Sequence, residues 1–401
     1  MNESTPSAQR IHIGFFGCTN AGKSSLINAI AGQEVSIVSN VKGTTTDPVR
    51  KAMELLPLGA VMLFDTAGLD DESPLGLQRT AKTYEILRHT DLAVLVVDAV
   101  KGITEADRKL EEKLRQEKIP YGIAFNKWDL NPVESTLPEH AVAVSAESGF
   151  NIPLLKRLIC TIYLESKGKQ AEQPLLGDLI TKESIVILVT PIDESAPKGR
   201  MILPQVQSIR AILDVFAVCI TVQPDQLPFL LNQLKNQPDL VITDSQVFST
   251  VKDMIPKEVP LTSFSILFAR YKGILEQALE GIQALDKLRD GDCVLIAEGC
   301  THHRQCGDIG TVKLPEWISE YTGRNLNFTF SSGNEFPEDL SPFALAVHCG
   351  GCMLNVREMQ HRRLSAQKQN IPFTNYGILI AAVNGILNRS ISALGIPASE
   401  R

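Results

Sequence analysis

Near the amino terminus, two glycines flank four residues and are followed by a lysine and a serine. This stretch, Gly17-Cys18-Thr19-Asn20-Ala21-Gly22-Lys23-Ser24, has the spacing of a phosphate-binding loop. Its glycines let backbone N–H groups curl around a phosphate. Its lysine supplies a positive charge for the outer phosphates, and its serine hydroxyl is a magnesium ligand. The stretch therefore predicts a site for a nucleoside triphosphate and Mg²⁺.

A second phosphate-side signature follows the predicted strand 61–64. Asp65 stands at the strand end, and Gly68 comes two residues after Thr66. We expect Asp65 to hold magnesium through water and the Gly68 amide to reach the γ-phosphate. Between the two signatures, the polar segment 42–47 has the character of a switch loop, and its Thr45 is the threonine that we favour as a further magnesium ligand. Lys23, Thr45, Asp65 and Gly68 are therefore the predicted catalytic residues.

The base is predicted to be guanine. The buried strand 121–125 delivers Asn126-Lys127-Trp128-Asp129. The Asp129 carboxylate can accept from both the ring N–H and the exocyclic amine of guanine, which adenine cannot offer, and we expect Asn126 to bond the oxygen edge of the base. Ser145 and Ala146, after the strand 141–144, are positioned to offer amides to the base. The expected nucleotide contacts are Gly17, Asn20, Ala21, Gly22, Lys23, Ser24, Ser25, Asp65, Thr66, Ala67, Gly68, Asn126, Lys127, Asp129, Ser145 and Ala146.

Alternating strands and helices must position these loops, which indicates an α/β fold. At 401 residues the chain is longer than one core usually supports. The polar stretch 166–177 resembles a linker. We predict an N-terminal P-loop GTPase domain followed by two smaller α/β domains with mostly parallel sheets. Their expected bounds are 1–168, 178–264 and 265–401, with GTP bound by the first.

The first of these domains resembles the translation-factor-like GTPases, in the branch that includes Era and MnmE. The resemblance covers residues 8–166 and is carried by the four motifs above. Leu69 stands where small signalling GTPases carry a water-orienting glutamine. Asn20 stands where potassium-activated members place a cation ligand, so the resemblance implies K⁺ near Asn20 as well as GTP, GDP and Mg²⁺.

Cysteines and histidines follow two strands near the carboxyl terminus. Cys300 and His302 come after the predicted strand 293–297, and His348, Cys349 and Cys352 come after the strand 343–347. Strand ends of a parallel sheet form ligand crevices. Three thiolates with one open position suit a 4Fe-4S cluster. Zinc held by Cys300, His302, Cys349 and Cys352 is also consistent, as are two unrelated loops with free thiols.

Taken with the GTPase motifs, these cysteines resemble those of the HydF family of FeFe-hydrogenase maturation GTPases, over the whole chain. The resemblance implies a 4Fe-4S cluster on Cys300, Cys349 and Cys352, with His302 or His348 as a candidate fourth ligand. It also implies a scaffold and carrier that receives a transient di-iron precursor of the H-cluster from two radical-SAM maturases and passes it to apo-FeFe-hydrogenase. Homodimers or higher oligomers, formed through the middle domain, are implied as well.

Composition narrows the function classes. The net charge of -7 argues against broad nucleic-acid binding, and the apolar runs are too short to span a membrane. Met1 to Arg10 lacks the apolar core of a signal peptide, so we expect a cytoplasmic protein with reduced thiols. The competing prediction is an RNA-binding GTPase of ribosome assembly or tRNA modification with a C-terminal zinc site.

A basic helix is expected over residues 355–369. Arg357, Arg362, Arg363 and Lys368 lie on it. We expect them to form a solvated face, with a docking face for an acidic partner as the alternative.

Overall fold

The computed structural model describes residues 5–32, 40–41, 49–68, 74–130, 136–168, 173–192, 201–299, 308–333 and 335–396. The predicted ligands Thr45, Cys300 and His302, and Leu69, lie outside these residues. The chain forms two compact units, Met1–Glu172 and Gln173–Arg401. The division into three domains, with bounds at 168, 178 and 264, stays a prediction.

The first unit is built on one sheet. Its strands are β1 (Ile11–Phe16), β2 (Asn40–Val41), β3 (Val49–Leu55), β4 (Gly59–Asp65), β5 (Leu92–Asp98), β6 (Tyr121–Asn126) and β7 (Ala141–Ala143). Their order across the sheet is β2-β3-β4-β1-β5-β6-β7. The pairs β2–β3 and β3–β4 are antiparallel, and every other pair is parallel. The carboxyl ends of β4, β1, β5, β6 and β7 therefore meet at one edge.

Helices cover both faces of this sheet. They are α1 (Lys23–Ala31), α2 (Pro74–His89), α3 (Glu105–Gln116) and α4 (Ile152–Gly168). The central strand β5 is buried along its apolar length. Its Val94 and Val96 pack into one hydrophobic cluster, and Leu95 packs into another. Such a doubly covered strand reads as a continuous apolar run, as parallel sheets require.

The second unit contains two four-stranded sheets in which every pair is parallel. The second sheet has β8 (Ile185–Val189), β9 (Val218–Val222), β10 (Leu240–Thr243) and β11 (Leu261–Ser263). The third sheet has β12 (Cys293–Ala297), β13 (Asn327–Ser331), β14 (Leu345–His348) and β15 (Phe373–Asn375). Their spatial orders are β11-β10-β8-β9 and β13-β12-β14-β15. The prediction of an α/β fold with a P-loop GTPase domain and mostly parallel sheets is confirmed.

One hydrophobic core runs through both sheets of the second unit. The helices around it are α5 (Leu203–Asp214), α6 (Leu227–Gln233), α7 (Phe248–Val251), α8 (Phe264–Tyr271), α9 (Leu275–Gly281), α10 (Leu314–Thr322), α11 (Val356–Lys368), α12 (Tyr376–Val383) and α13 (Leu387–Ser392). The Ser263 hydroxyl accepts from the Ile266 N–H, so α8 begins directly at the end of β11. Within the part of the chain that the structure describes, no helix is long and apolar enough to cross a membrane.

Some predicted elements differ from those observed. The helical spacing of apolar residues over 273–288 predicts one amphipathic helix, but the structure shows α9 followed by a 3₁₀ turn, Ile282–Lys287. The amphipathic pattern over 384–393 predicts a final helix, and the structure shows the shorter α13. Strands β13 and β15 were not predicted. In β13 most side chains are exposed, which removes the apolar run that marks a buried strand, and β15 is only three residues long.

Candidate functional site

The loop between β1 and α1 needs glycine at both of its ends. Gly17 and Gly22 have φ angles of 147° and 90°. A Cβ atom on Gly17 would lie 2.2 Å from the Val96 carbonyl oxygen, and one on Gly22 would lie 2.2 Å from Asn126 Nδ2. Backbone strain and close contact therefore both exclude a side chain. The two glycines allow the loop to take the curled conformation in which backbone N–H groups can bind a phosphate.

Lys23 places its positive charge against this loop. The side chain is 7% exposed. Its Nζ donates to the carbonyl oxygens of Gly17 at 3.0 Å and Cys18 at 2.8 Å. An ammonium held at the loop is well placed to offset phosphate charge.

The side chains of the two residues predicted to bind magnesium, Ser24 and Asp65, are in contact. Ser24 Oγ donates to Asp65 Oδ2 at 2.5 Å. Asp65 Oδ1 is buried and has no hydrogen-bond partner among the described residues. Burial raises the pKa of Asp65, although the Ser24 bond and the Lys23 charge oppose that shift. An orphaned carboxylate oxygen beside a hydroxyl fits a hard divalent cation such as Mg²⁺.

The segment after β4 packs on the phosphate loop. A Cβ atom on Gly68 would lie 2.1 Å from Thr19 Oγ1 and 2.6 Å from the Thr19 nitrogen. Thr66 Oγ1 donates to the Phe15 carbonyl oxygen at 2.6 Å. Only glycine allows the chain at position 68 to approach the loop this closely; its contact with the γ-phosphate stays a prediction.

Asn126 connects two loops through its side-chain amide. Its Nδ2 donates to the Ala21 carbonyl oxygen at 3.0 Å, and its Oδ1 accepts from the Ala146 N–H at 3.0 Å. The side chain is 2% exposed. We predicted that Asn126 bonds the edge of the base. In the structure its amide holds the phosphate loop and the 145–146 loop together, and its bond to the base stays a prediction.

The other predicted base contacts lie at the same sheet edge. Asp129 is exposed, whereas Ser145 is buried and its Oγ accepts from the Ser148 N–H at 3.1 Å. Lys127 has a φ of 64°. Its Nζ donates to Asp98 Oδ2 at 2.7 Å. Burial favours a higher Asp98 pKa, but the bonds from Lys127 and the Val100 N–H outweigh it and lower the pKa.

Two residues outside the predicted set also contact the phosphate loop. Cys18 Sγ lies 3.3 Å from Thr104 Oγ1 and donates to Asp107 Oδ1 at 3.5 Å. Thr104 and Asp107 form the capping box that begins α3. The sequence signal was a threonine followed three residues later by an acid.

Asn20 and Ser25, two of the predicted nucleotide contacts, are exposed beside the loop, and Asn20 has a φ of 62°.

A second candidate site lies at the end of β14, where Cys349 accepts two backbone bonds. The N–H of Gly299 donates to Cys349 Sγ at 3.0 Å, and that of Gly351 donates at 3.4 Å. Gly299 immediately precedes Cys300 in the chain. The residue before the first cysteine motif is thus bonded to Cys349, and bonds of this kind favour the thiolate over the thiol.

Burial opposes ionisation at this second site. It raises the pKa of Cys349 to about 11, with Cys352 contributing in the same direction. Burial also raises the pKa of Cys352, while the Lys272 charge lowers it. Metal binding requires thiolates and can supply the positive charge that replaces the protons. No group of three or more potential metal ligands occurs among the described residues, and Cys300, the third predicted ligand, lies outside them.

His348 is held on both sides of its ring. Arg362 Nη1 donates to its Nε2 at 2.9 Å, so its Nδ1–H donates to the Cys349 carbonyl oxygen at 2.8 Å. The side chain is fully buried, and burial, followed by the Arg362 charge, lowers its pKa to about 3. With both nitrogens engaged, this conformation does not suit His348 as a fourth iron ligand.

Arg362 corrects the prediction of a solvated helix face. It is 1% exposed. Its Nε donates to Glu358 Oε1 at 2.7 Å, and its Nη2 donates to the Gly333 carbonyl oxygen at 2.6 Å. Its guanidinium carbon lies 5.1 Å from the centre of the Phe336 ring. A buried arginine needs this many partners because an unpaired charge in a core is costly.

These features define a P-loop GTPase domain joined to two parallel α/β sheets, the second of which carries paired cysteines at a strand end. Three family models match the chain. They are a 50S ribosome-binding GTPase at residues 12–127, the hydrogen maturase F dimerization domain at 175–273 and the hydrogen maturase F tetramerization domain at 276–393. The two maturase models together cover more than half of the chain. The chain belongs to the hydrogen maturase F family.

The GTPase part also resembles curated proteins. The tRNA modification GTPase MnmE of Nitrosomonas europaea is 39% identical over 39% of this chain and 34% of its own length. GTPase Der of Wolinella succinogenes is 35% identical over 45% of this chain and 41% of its own length. This chain thus spans well under half of the curated relatives that it matches.

Among solved structures, the G domain of the T. maritima FeoB iron transporter is 25% identical over 38% of this chain and 99% of that chain. The TM-score of this match is low, at 0.29.

Proposed function

We propose that this protein is a GTPase of FeFe-hydrogenase maturation that hydrolyses GTP to GDP and phosphate and also serves as an iron–sulfur scaffold and carrier. The bond between Ser24 Oγ and Asp65 Oδ2, beside the orphaned Asp65 Oδ1, carries the GTPase part. It joins the phosphate loop to the end of β4, which is the geometry that a metal–phosphate site needs.

Each residue of the nucleotide site has one task in this proposal. Loop N–H groups and Lys23 hold the phosphates, and Ser24, Thr45 and Asp65 would hold Mg²⁺, which neutralises charge on the phosphate oxygens. The Gly68 amide approaches the γ-phosphate. Asp129 selects guanine, and Asn126 holds the phosphate loop and the 145–146 loop together. Asn20 is exposed at the loop, where a K⁺ ion would add further charge.

The cysteine site is proposed to hold a 4Fe-4S cluster on Cys300, Cys349 and Cys352. The Gly299 N–H bond to Cys349 Sγ supports this because Gly299 is the residue directly before Cys300 in the chain. We propose His302, water or another group as the fourth ligand, because both ring nitrogens of His348 already have hydrogen-bond partners. The di-iron precursor is the cargo, taken from radical-SAM maturases and delivered to apo-FeFe-hydrogenase.

A homo-oligomer is supported by the dimerization and tetramerization domains. We propose that the open edge of β9 contributes to the contact. Among the described strands, β9 pairs with β8 alone. Its exposed Val218, at 49%, and the neighbouring Phe216, at 78%, would be covered if a second copy paired along this edge.

The test uses the full chain, purified without oxygen and reconstituted with Fe²⁺ and sulfide. Iron and sulfide per chain, visible absorbance and Mg²⁺-dependent phosphate release from GTP are measured in K⁺ and in Na⁺. We expect a brown protein whose chromophore is lost in C349A and C352A but kept in C219A, which changes a cysteine of β9. A colourless protein that binds zinc would overturn the scaffold proposal and favour the RNA-binding alternative.

A further inference from the structure

Lys272 is a buried cation that contacts the cysteine loop. It follows α8 directly and is 3% exposed. Its Nζ donates to the carbonyl oxygen of Leu354, two residues beyond Cys352. A lysine is rarely buried to this extent unless an opposite charge or strong acceptors surround it. The position therefore needs an explanation beyond packing.

The contact is part of a closed set around Cys349. A Cβ atom on Gly299 would lie 2.9 Å from Leu354 Cγ. Gly299 itself donates to Cys349 Sγ at 3.0 Å. Lys272 therefore holds Leu354 in place, and Leu354 in turn packs against the residue that bonds the thiol. At the other end of α8, Ser265 Oγ would lie 3.4 Å from a Cβ atom on Gly350, so the helix contacts the cysteine loop at both of its ends.

Charge gives Lys272 a second effect. Its buried ammonium lies at the carbonyl oxygen of Leu354, two residues from Cys352. The field of Lys272 thus reaches the thiol site, where the low dielectric of the interior strengthens it. Several thiolates on iron would carry net negative charge, which a buried cation stabilises.

We propose that Lys272 is a positioning residue of the cysteine site that also supplies a fixed positive charge to the metal–thiolate group. This inference rests on the proposed cluster. Its bond to Leu354 positions the loop, while its charge favours the more negative, reduced state of the group. Removing the charge therefore lowers the reduction potential, and removing the bond alone does not.

Glutamine separates these two effects. K272Q keeps a donor for the Leu354 carbonyl but has no charge, K272M has neither, and K272R keeps both. The matched control is K252M, because Lys252 Nζ also donates to a backbone carbonyl, that of Asn384 at 3.2 Å. Each full-length protein is reconstituted without oxygen, its iron and sulfide are counted, and its midpoint potential is measured by redox titration with electron paramagnetic resonance.

We expect K272Q and K272M to show about a tenfold lower reduced-to-oxidised ratio at a fixed potential, a shift of ~59 mV for one electron. K272R and K252M should match the wild type. A wild-type potential in K272Q would overturn the inference while leaving the cluster intact. A wild-type protein that binds no cluster would instead overturn the proposed function. If K272M does not fold, K272Q decides the question.

Discussion

Ser24 Oγ and Asp65 Oδ2 lie 2.5 Å apart although 41 residues separate them in the chain. The contact joins the first turn of α1 to the last residue of β4. It exists because β1 and β4 are parallel neighbours, so their carboxyl ends meet. The sheet topology thus creates the metal-side half of the nucleotide site.

Replacing Asp65 by asparagine should weaken magnesium dependence rather than the fold. The variant keeps the shape of the side chain but loses its charge. We expect the Mg²⁺ concentration for half-maximal GTP hydrolysis to rise at least about tenfold, as is typical when a partner of the metal shell is lost. Phosphate release across a Mg²⁺ titration measures this. E105Q, at an exposed residue of α3, is the control, and an unchanged Mg²⁺ requirement in D65N would contradict the assignment.

Asn126 and Asp129 should respond differently to alanine. Asn126 is buried with both ends of its amide bonded, so N126A should lower the free energy of unfolding by about 1–3 kcal/mol and weaken the binding of every nucleotide. Asp129 is exposed, so D129A should leave the free energy of unfolding unchanged and weaken the binding of GTP and GDP at least about tenfold. Urea unfolding and titration with fluorescent GDP distinguish the two. Equal loss of stability in both variants would refute the division of roles.

The Asp98–Lys127 pair should make a small contribution to stability that depends on pH. The folded-state pKa of Asp98 lies below its ordinary value of 3.8, so above pH 3.8 the pair stabilises the native state. The contribution disappears as pH falls through the lower folded value, because the unfolded chain binds the proton first. Lys127 is 32% exposed, so we expect less than about 1 kcal/mol. Urea unfolding of wild type and D98N from pH 7 to 3 should show two curves that converge at the acid end; a constant gap would argue against the pair.

Lysines on the β9 edge should disrupt self-association. Val218 and Thr221 are both exposed on this strand, and paired lysines on an edge repel a second copy of themselves. We expect V218K/T221K to elute as a smaller species in size-exclusion chromatography with light scattering. L164K changes an exposed apolar residue of α4 and should retain the wild-type mass. An unchanged mass in the double variant would place the contact elsewhere.

Arg389 should be a stability residue of the second unit. It donates to the carbonyl oxygens of Lys252, Ile255, Pro256 and Val259. Its replacement by methionine leaves these acceptors without their donor. We expect a loss of about 2–3 kcal/mol in the free energy of unfolding. R324M is the control, because Arg324 is half exposed and its ion pair with Asp290 spans 3.8 Å, and a loss as small as in R324M would show that water replaces the Arg389 bonds.

The sequence was sufficient for features that local chemistry determines. Gly17, Gly22 and Lys23 follow from phosphate binding, and the apolar run of β5 follows from burial on both faces. The sequence was insufficient for residues whose role depends on a contact with a residue far away in the chain. Nothing near Arg362 indicates that His348 and the Gly333 carbonyl oxygen would be its partners. Nothing near Asn126 indicates that its amide would bond Ala21 and Ala146.

The continuous hydrophobic core of the second unit limits how this protein, as the proposed carrier, could release the di-iron precursor. Separating the second and third sheets would expose to water the apolar side chains that they share. The free-energy cost is about 25 cal/mol for each Å² of apolar surface exposed. Helix α8 would have to break away from one of them, since it starts at β11 and reaches the cysteine loop through Lys272. The proposed delivery would therefore require rearrangement of the loop that carries Cys349 and Cys352, with the two sheets moving as one body.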